Sequence, residues 1–221
     1  MGNTQSAGIQ VMEEQAALSR RAVSGDSEAL ALLFDGERPR LLRMIKLRMD
    51  QRLNGRVDAE DVLQEAFVDV MRRFDEYCAQ YSESIPLVLW FRLILGQRLV
   101  DFHRRHLGTQ SRDAGLEISL QRGRWPQATS ASLAAQLLGK LTSASRAAVR
   151  AEQRLMVQEA LNRMEPIDRE VLVLRHFEHL TNDEVALMLG LKKTAASQRY
   201  VRALRRLATI LSAIPGLSET P

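Results

Sequence analysis

The residues best placed to do chemistry lie near the C-terminal end, from Thr181 to Leu207, TNDEVALMLGLKKTAASQRYVRALRRL. From Lys192 to Arg206 there are six basic residues and no acidic one. At a 3.6-residue period, Ala196, Tyr200, Ala203, Leu204 and Leu207 share one arc. Ser197, Gln198, Val201, Arg202 and Arg205 share the opposite arc. The first arc is apolar and turns inward. The second offers arginine forks, an amide, a hydroxyl and an apolar branch, the groups that meet base edges in a DNA major groove. That chemistry is recognition rather than bond-making. The competing reading is an ordinary helical hairpin whose basic face is merely solvated.

Two helices must position these side chains. Thr181 caps the first, and Glu184 three residues on completes a Thr-x-x-Glu capping box. Val185, Ala186 and Leu189 turn this short helix inward. Gly190 supplies the left-handed residue that ends it, and Leu191 fills the angle before the longer helix begins.

Upstream, nearly every segment has helical periodicity and none alternates with period two over strand length. Residues 15–34 form an amphipathic helical region broken at Ser24-Gly25-Asp26, where Asp26 or Ser27 starts a new helix. A further helix is expected from Arg38 to Met49, with Pro39 in its first turn and Leu41, Leu42, Ile45 and Met49 buried. Asp58 opens the next, whose inner face is Val62, Leu63, Ala66, Phe67, Val70 and Phe74. Its outer face carries Asp61, Gln64, Glu65 and Val68. Pro86 begins a helix to His106 with Trp90, Leu93, Ile94 and Val100 inward. Between Arg92 and Arg112 lie five arginines, two histidines and one acid, Asp101, a second basic cluster. Residues 108–146 lose periodicity and read as an extended linker containing Trp125-Pro126, with a short helix at Leu133–Leu141. Order resumes near Ala147 in a helix with Leu155, Leu161 and Met164 inward. Asp168 is expected to cap the helix after it. Residues 1–14 and 214–221 read as flexible ends. The expected fold is all-α: an N-terminal helical bundle over 15–107 and a four-helix domain with a helix-turn-helix over 147–213.

Composition narrows the function classes. With 31 basic and 27 acidic residues the formal charge is +4, too small by itself to name a polyanion partner. One cysteine, Cys78, rules out an internal disulfide and multi-cysteine metal sites. His103/His106 and His176/His179 lack a third ligand. No nucleophile–base pair or phosphate-binding glycine loop is present. The sequence therefore implies no catalytic residue, metal or cofactor. No apolar run is long enough to span a membrane, and the expected location is cytoplasmic.

Four segments carry a family resemblance: Ala22–Asp26 with Leu33-Phe34; Asp58–Phe67, DAEDVLQEAF; Trp90, Asp101 and Arg104 in a W-x10-D-x-x-R pattern; and Arg169–Leu207. In this order the chain resembles a bacterial RNA polymerase sigma factor of the extracytoplasmic-function type. The resemblance implies that Asp61, Gln64 and Glu65 dock on core RNA polymerase. It implies that the helix from Pro86 to His106, with the loop Cys78–Ile85, reads and opens a −10 promoter element. There Arg98, Arg104 and Arg105 hold phosphates, and Tyr77 and Tyr81 are stacking candidates that core packing suits as well. Ser197, Gln198, Val201 and Arg202 match the base-facing positions for a −35 element. Lys192, Lys193, Thr194, Arg199, Arg205 and Arg206 complete the DNA contact, the basic ones against the phosphate backbone. Promoter DNA and core polymerase are the implied partners, and an anti-sigma factor is compatible with them.

The chain departs from the family at Gln97, where asparagine is usual, at Gly96 inside the helix, and at Ser197, where a basic residue is common. The rival reading is a stand-alone helix-turn-helix regulator, which leaves the docking-like helix and the Trp90–Arg104 helix unexplained. A pure interaction protein leaves the basic face from Lys192 to Arg206 unexplained.

Overall fold

The computed structural model describes residues 3–53, 55–107, 119–120, 123–124, 128–141 and 147–213. It is all-α. The helices are α1 (Asn3–Val23), α2 (Ser27–Arg48), α3 (Ala59–Gln80), α4 (Leu87–Leu107), α5 (Ser130–Leu141), α6 (Ala147–Asn162), α7 (Pro166–Leu172), α8 (Asn182–Leu189) and α9 (Lys193–Ser212). A two-residue antiparallel ladder pairs Ser119 with Arg124 and Leu120 with Gly123, too short to leave any period in the sequence. Trp125-Pro126 lies outside the described residues.

Local chemistry sets most helix ends. The Asp26 side chain accepts from the backbone N–H of Ala29, and Asp58 accepts from that of Glu60. Helix α1 starts at Asn3, well before Gln15. Helix α2 is continuous to Arg48, so the separate helix expected from Arg38 does not exist and Pro39 sits in the interior. Pro39 has no N–H to give the Asp35 carbonyl. Asp35, Gly36 and Pro39 are all exposed, so water can serve that carbonyl.

Two apolar clusters hold the molecule. The first joins α2, α3 and α4 through Leu30, Leu33, Phe34, Ile45, Val62, Leu63, Val70, Trp90, Phe91 and Leu95. Phe34 meets Phe67 at 4.9 Å and Phe91 edge-on at 5.2 Å between ring centroids. This cluster continues into the C-terminal half through Val171, Leu174, Val185 and Leu189. The second gathers α5, α6, α7 and α9, and takes in Leu47 from α2. Helix α5, inside the stretch read as linker, starts at Ser130 and buries Leu133, Ala134, Leu137 and Leu138 there. In α6 the inward residues are Val157 and Leu161, with Met164 just beyond the helix. Leu155 is 66% exposed, so its expected inward placement was wrong.

The contact between the halves also contains four buried charges. Arg48 Nη2 lies 2.7 Å from Glu178 Oε1 and 2.6 Å from Glu170 Oε1. Arg48 Nε also donates to Glu178 Oε1 at 3.1 Å. Arg92 pairs with the other Glu178 oxygen, and all four side chains are essentially inaccessible to water. Burial brings the Arg92 guanidinium down to about 9, with Arg48 beside it acting in the same direction and Glu37, Glu184 and Glu170 opposing. Arg92, counted in the mid-chain basic cluster, is therefore structural rather than a surface cation.

Candidate nucleic-acid interface

The helix pair is built as its sequence dictates. Thr181 Oγ1 accepts from Glu184 N at 3.2 Å, and Glu184 Oε2 accepts from Thr181 N at 2.7 Å. Gly190 has φ 61° and ψ 31°, and the Leu191 N–H returns to the Ala186 carbonyl at 2.8 Å. Asn182 Nδ2 donates to the Lys193 carbonyl at 2.9 Å, tying α8 to the start of α9. In α9, Ala196, Ala203 and Leu207 are buried. Ser197, Gln198, Val201, Arg202 and Arg205 are exposed and border a shallow concavity of about 440 Å³. Lys192, Lys193 and Thr194 are exposed around the helix start.

Several of these cations already have partners. Lys193 Nζ is 2.6 Å from Asp183, both exposed, an arrangement salt readily screens. Arg206 Nη2 donates to the Arg163 carbonyl at 2.8 Å, so it braces α9 against the end of α6. Arg199 Nη1 reaches Asp168 Oδ1 at 2.6 Å and Glu165 Oε2 at 3.4 Å. Arg202 grips the same Asp168 with Nε at 2.8 Å and Nη2 at 3.0 Å. Burial raises the Asp168 pKa, but the hydrogen bonds from Arg202 and Arg199 outweigh it and hold the carboxyl below its usual value. The expected capping role of Asp168 is not found. Glu165 is the N-cap without a side-chain bond and Pro166 opens the helix, because its fixed φ suits the first helical position.

The mid-chain surface is arranged differently. Asp61, Gln64 and Val68 are exposed on α3, with Glu65 half-buried beside them. Val68 is 53% exposed and Met71 extends the apolar part of this strip. Arg98 is half-buried and paired with Asp69, with Glu65 at 3.4 Å. Arg105 stacks 4.5 Å over the Phe102 ring and sits 3.2 Å from Glu65. Arg104 is exposed. Gln97 Oε1 accepts from Arg73 at 2.6 Å. Tyr77 is core: its hydroxyl donates to the Ile85 carbonyl at 2.8 Å, and burial pushes it up to about 12. Tyr81 remains half-buried. His103 is a hydrogen-bond acceptor for the Asp50 N–H at 3.2 Å. Among the described residues no group of histidine, cysteine and carboxylates is placed to hold a metal ion, and no helix is long and apolar enough to cross a membrane.

Residues 154–207, running from within α6 to the last buried turn of α9, match the family model described as Sigma-70, region 4. That stretch, about a quarter of the chain, is similar to region 4 of the sigma-70 family. Over 196 residues it is 24% identical to the ECF RNA polymerase sigma factor BldN of Streptomyces coelicolor (strain ATCC BAA-471 / A3(2) / M145), covering 88% of this chain and 64% of that protein. The chain thus spans a little under two thirds of that relative's length. The solved structure of CnrH in complex with the cytosolic domain of CnrY shares the fold, with TM-score 0.52 and 20% identity, covering 90% of this chain and 98% of that one. The sigma factor RpoE of Bartonella quintana, solved with the anti-sigma factor NepR, aligns at TM-score 0.44 and 17% identity over 84% and 96% of the two chains. That last alignment adds nothing to the fold assignment. Within the matched residues, Asp168 stands out in the sequence only as a possible cap, because its partners Arg199 and Arg202 lie more than thirty positions away. Helix α5, outside the matched residues, still packs on α6.

Proposed function

We propose that this chain is a sigma factor that binds core RNA polymerase and directs it to specific promoters, acting by recognition without making or breaking covalent bonds. The observation that carries this reading is the division of α9: Ala196, Ala203 and Leu207 buried, and Ser197, Gln198, Val201, Arg202 and Arg205 together on the open side. On this reading α9 lies in the major groove of the −35 element. Arg202 and Gln198 hydrogen-bond base edges, and the Val201 branch meets a thymine methyl. Lys192, Lys193, Thr194, Arg199 and Arg205 contact or face the backbone, positioning without specifying.

The N-terminal part, residues 15–107, supplies the other contacts. Asp61, Gln64 and Glu65 dock on polymerase, with Val68 as their apolar neighbour. Helix α4, with the last residues of α3 and the turn after them (Cys78–Ile85, helical as far as Gln80), reads the −10 element and helps open it, with Arg98, Arg104 and Arg105 on phosphates. Holding one base out of the stack costs a few kcal/mol, which contacts in that segment must recover. Arg98 and Arg105 must first leave Glu65 and Asp69. An anti-sigma protein is a further partner.

Reconstituted transcription tests the proposal. Purified chain added to sigma-free core polymerase should start transcripts at discrete positions on a subset of genomic fragments. If no complex with core forms and no specific start appears on any fragment, the proposal fails. Specific duplex binding without polymerase would instead support a stand-alone regulator.

A further inference from the structure

We propose that Asp168 is a specificity-determining residue: it grips one edge of the Arg202 guanidinium and thereby presents the opposite edge to a guanine in the upstream promoter element. The inference rests on the proposal that α9 reads DNA, and adds which residue fixes the geometry of that reading.

A guanidinium has two edges that can donate paired hydrogen bonds, Nε with Nη2 and Nη1 with Nη2. Asp168 occupies the first, with Nε to Oδ2 at 2.8 Å and Nη2 to Oδ1 at 3.0 Å. Both Nη1 hydrogens and the second Nη2 hydrogen are left for a ligand, and that edge has the spacing of guanine O6 and N7. Arg202 is itself 58% exposed and borders the concavity with Gln198, Val201 and Arg205. An exposed arginine ordinarily samples many rotamers. Here a carboxylate that is only 8% exposed, fixed on α7, holds the fork before any ligand arrives. Arg199, one helical turn back, donates to the same Oδ1 at 2.6 Å and keeps Asp168 oriented. Both arginines hold the carboxyl ionised well into acid, opposing its burial.

The test uses the full chain with core polymerase and a pool of duplexes carrying a randomised upstream element. The wild-type chain should enrich a guanine at one position that Arg202→Ala abolishes. Asp168→Asn should lower that guanine preference roughly five- to tenfold while leaving the other enriched positions unchanged. In the Arg202→Ala background Asp168→Asn should do nothing further. If Asp168→Asn fails to fold, Arg202→Lys decides in its place: it keeps the charge and loses the fork, so the guanine preference must fall. A guanine preference unchanged in whichever of these two variants is read, or an equal loss at every position, overturns the inference while leaving the sigma reading intact. A wild-type chain that enriches no sequence overturns both.

Discussion

At Gly190 φ is 61°, and no neighbouring heavy atom lies within 4 Å of where a Cβ would stand. The demand for glycine is therefore conformational rather than steric. Gly190→Ala should destabilise the chain by about 1–2 kcal/mol, and Gly190→Asn by less, read from urea unfolding midpoints. His103 gives a pH-dependent counterpart. Burial lowers its pKa from the usual value, against the pull of Asp50. The unfolded chain thus takes up a proton that the folded chain resists, and stability rises with pH through this window. Stability should fall as pH drops from 7 to below about 6.5. His103→Gln keeps an acceptor for the Asp50 N–H and should flatten this part of the profile. An unchanged slope would remove His103 from the account. Residues of this kind differ in how they can be read. Thr181, Glu184, Asp26 and Gly190 act on atoms within a few positions, so the sequence shows them. Asp168 and Arg92 take their roles from partners elsewhere in the chain, and nothing beside them marks those partners.

Among the helices expected to meet other molecules, α3 and α9 can each be tested by face. Asp61→Ala with Gln64→Ala removes exposed groups of α3 and should weaken the complex with core polymerase about tenfold. Circular dichroism should stay unchanged, because neither side chain is buried. Glu65 is a poorer probe, since its loss also takes one partner from each of Arg98 and Arg105. On α9, Lys193→Ala should weaken binding to all duplexes alike and reduce the salt dependence by about one unit of slope. Selective loss on one sequence would reassign Lys193 to base reading. The apolar arc of α9 was legible because α6, α7 and α8 all cover the same face of it. Helix α6 was legible in part: Leu161 and Met164 are buried as expected but Leu155 is exposed, since a period cannot say which of several apolar residues a neighbouring helix will cover. Nor can a proline rule foresee that Asp35 and Gly36 would face water, which lets α2 run through Pro39.

For the whole molecule, the decisive feature is that apolar surface and charge join the two halves. Removing one member of a buried ion cluster strands its partners and typically costs about 3–5 kcal/mol. Glu178→Ala should therefore lower stability by that amount, since Arg48 and Arg92 both face it. Replacing Arg48, Arg92, Glu170 and Glu178 together by apolar residues of similar volume should be close to neutral or stabilising. Calorimetry on the two variants separates a dependence on paired charge from a dependence on packing alone. The positions of these four residues also set an order in time. Arg48 and Glu178 are 130 residues apart, and a ribosome adds about 5–20 residues per second. The N-terminal helices leave the ribosome with both arginines lacking Glu170 and Glu178, and remain so for on the order of ten seconds. During synthesis the surfaces that the C-terminal half later covers are open to any chaperone or partner at hand, and closing them is among the last steps of folding.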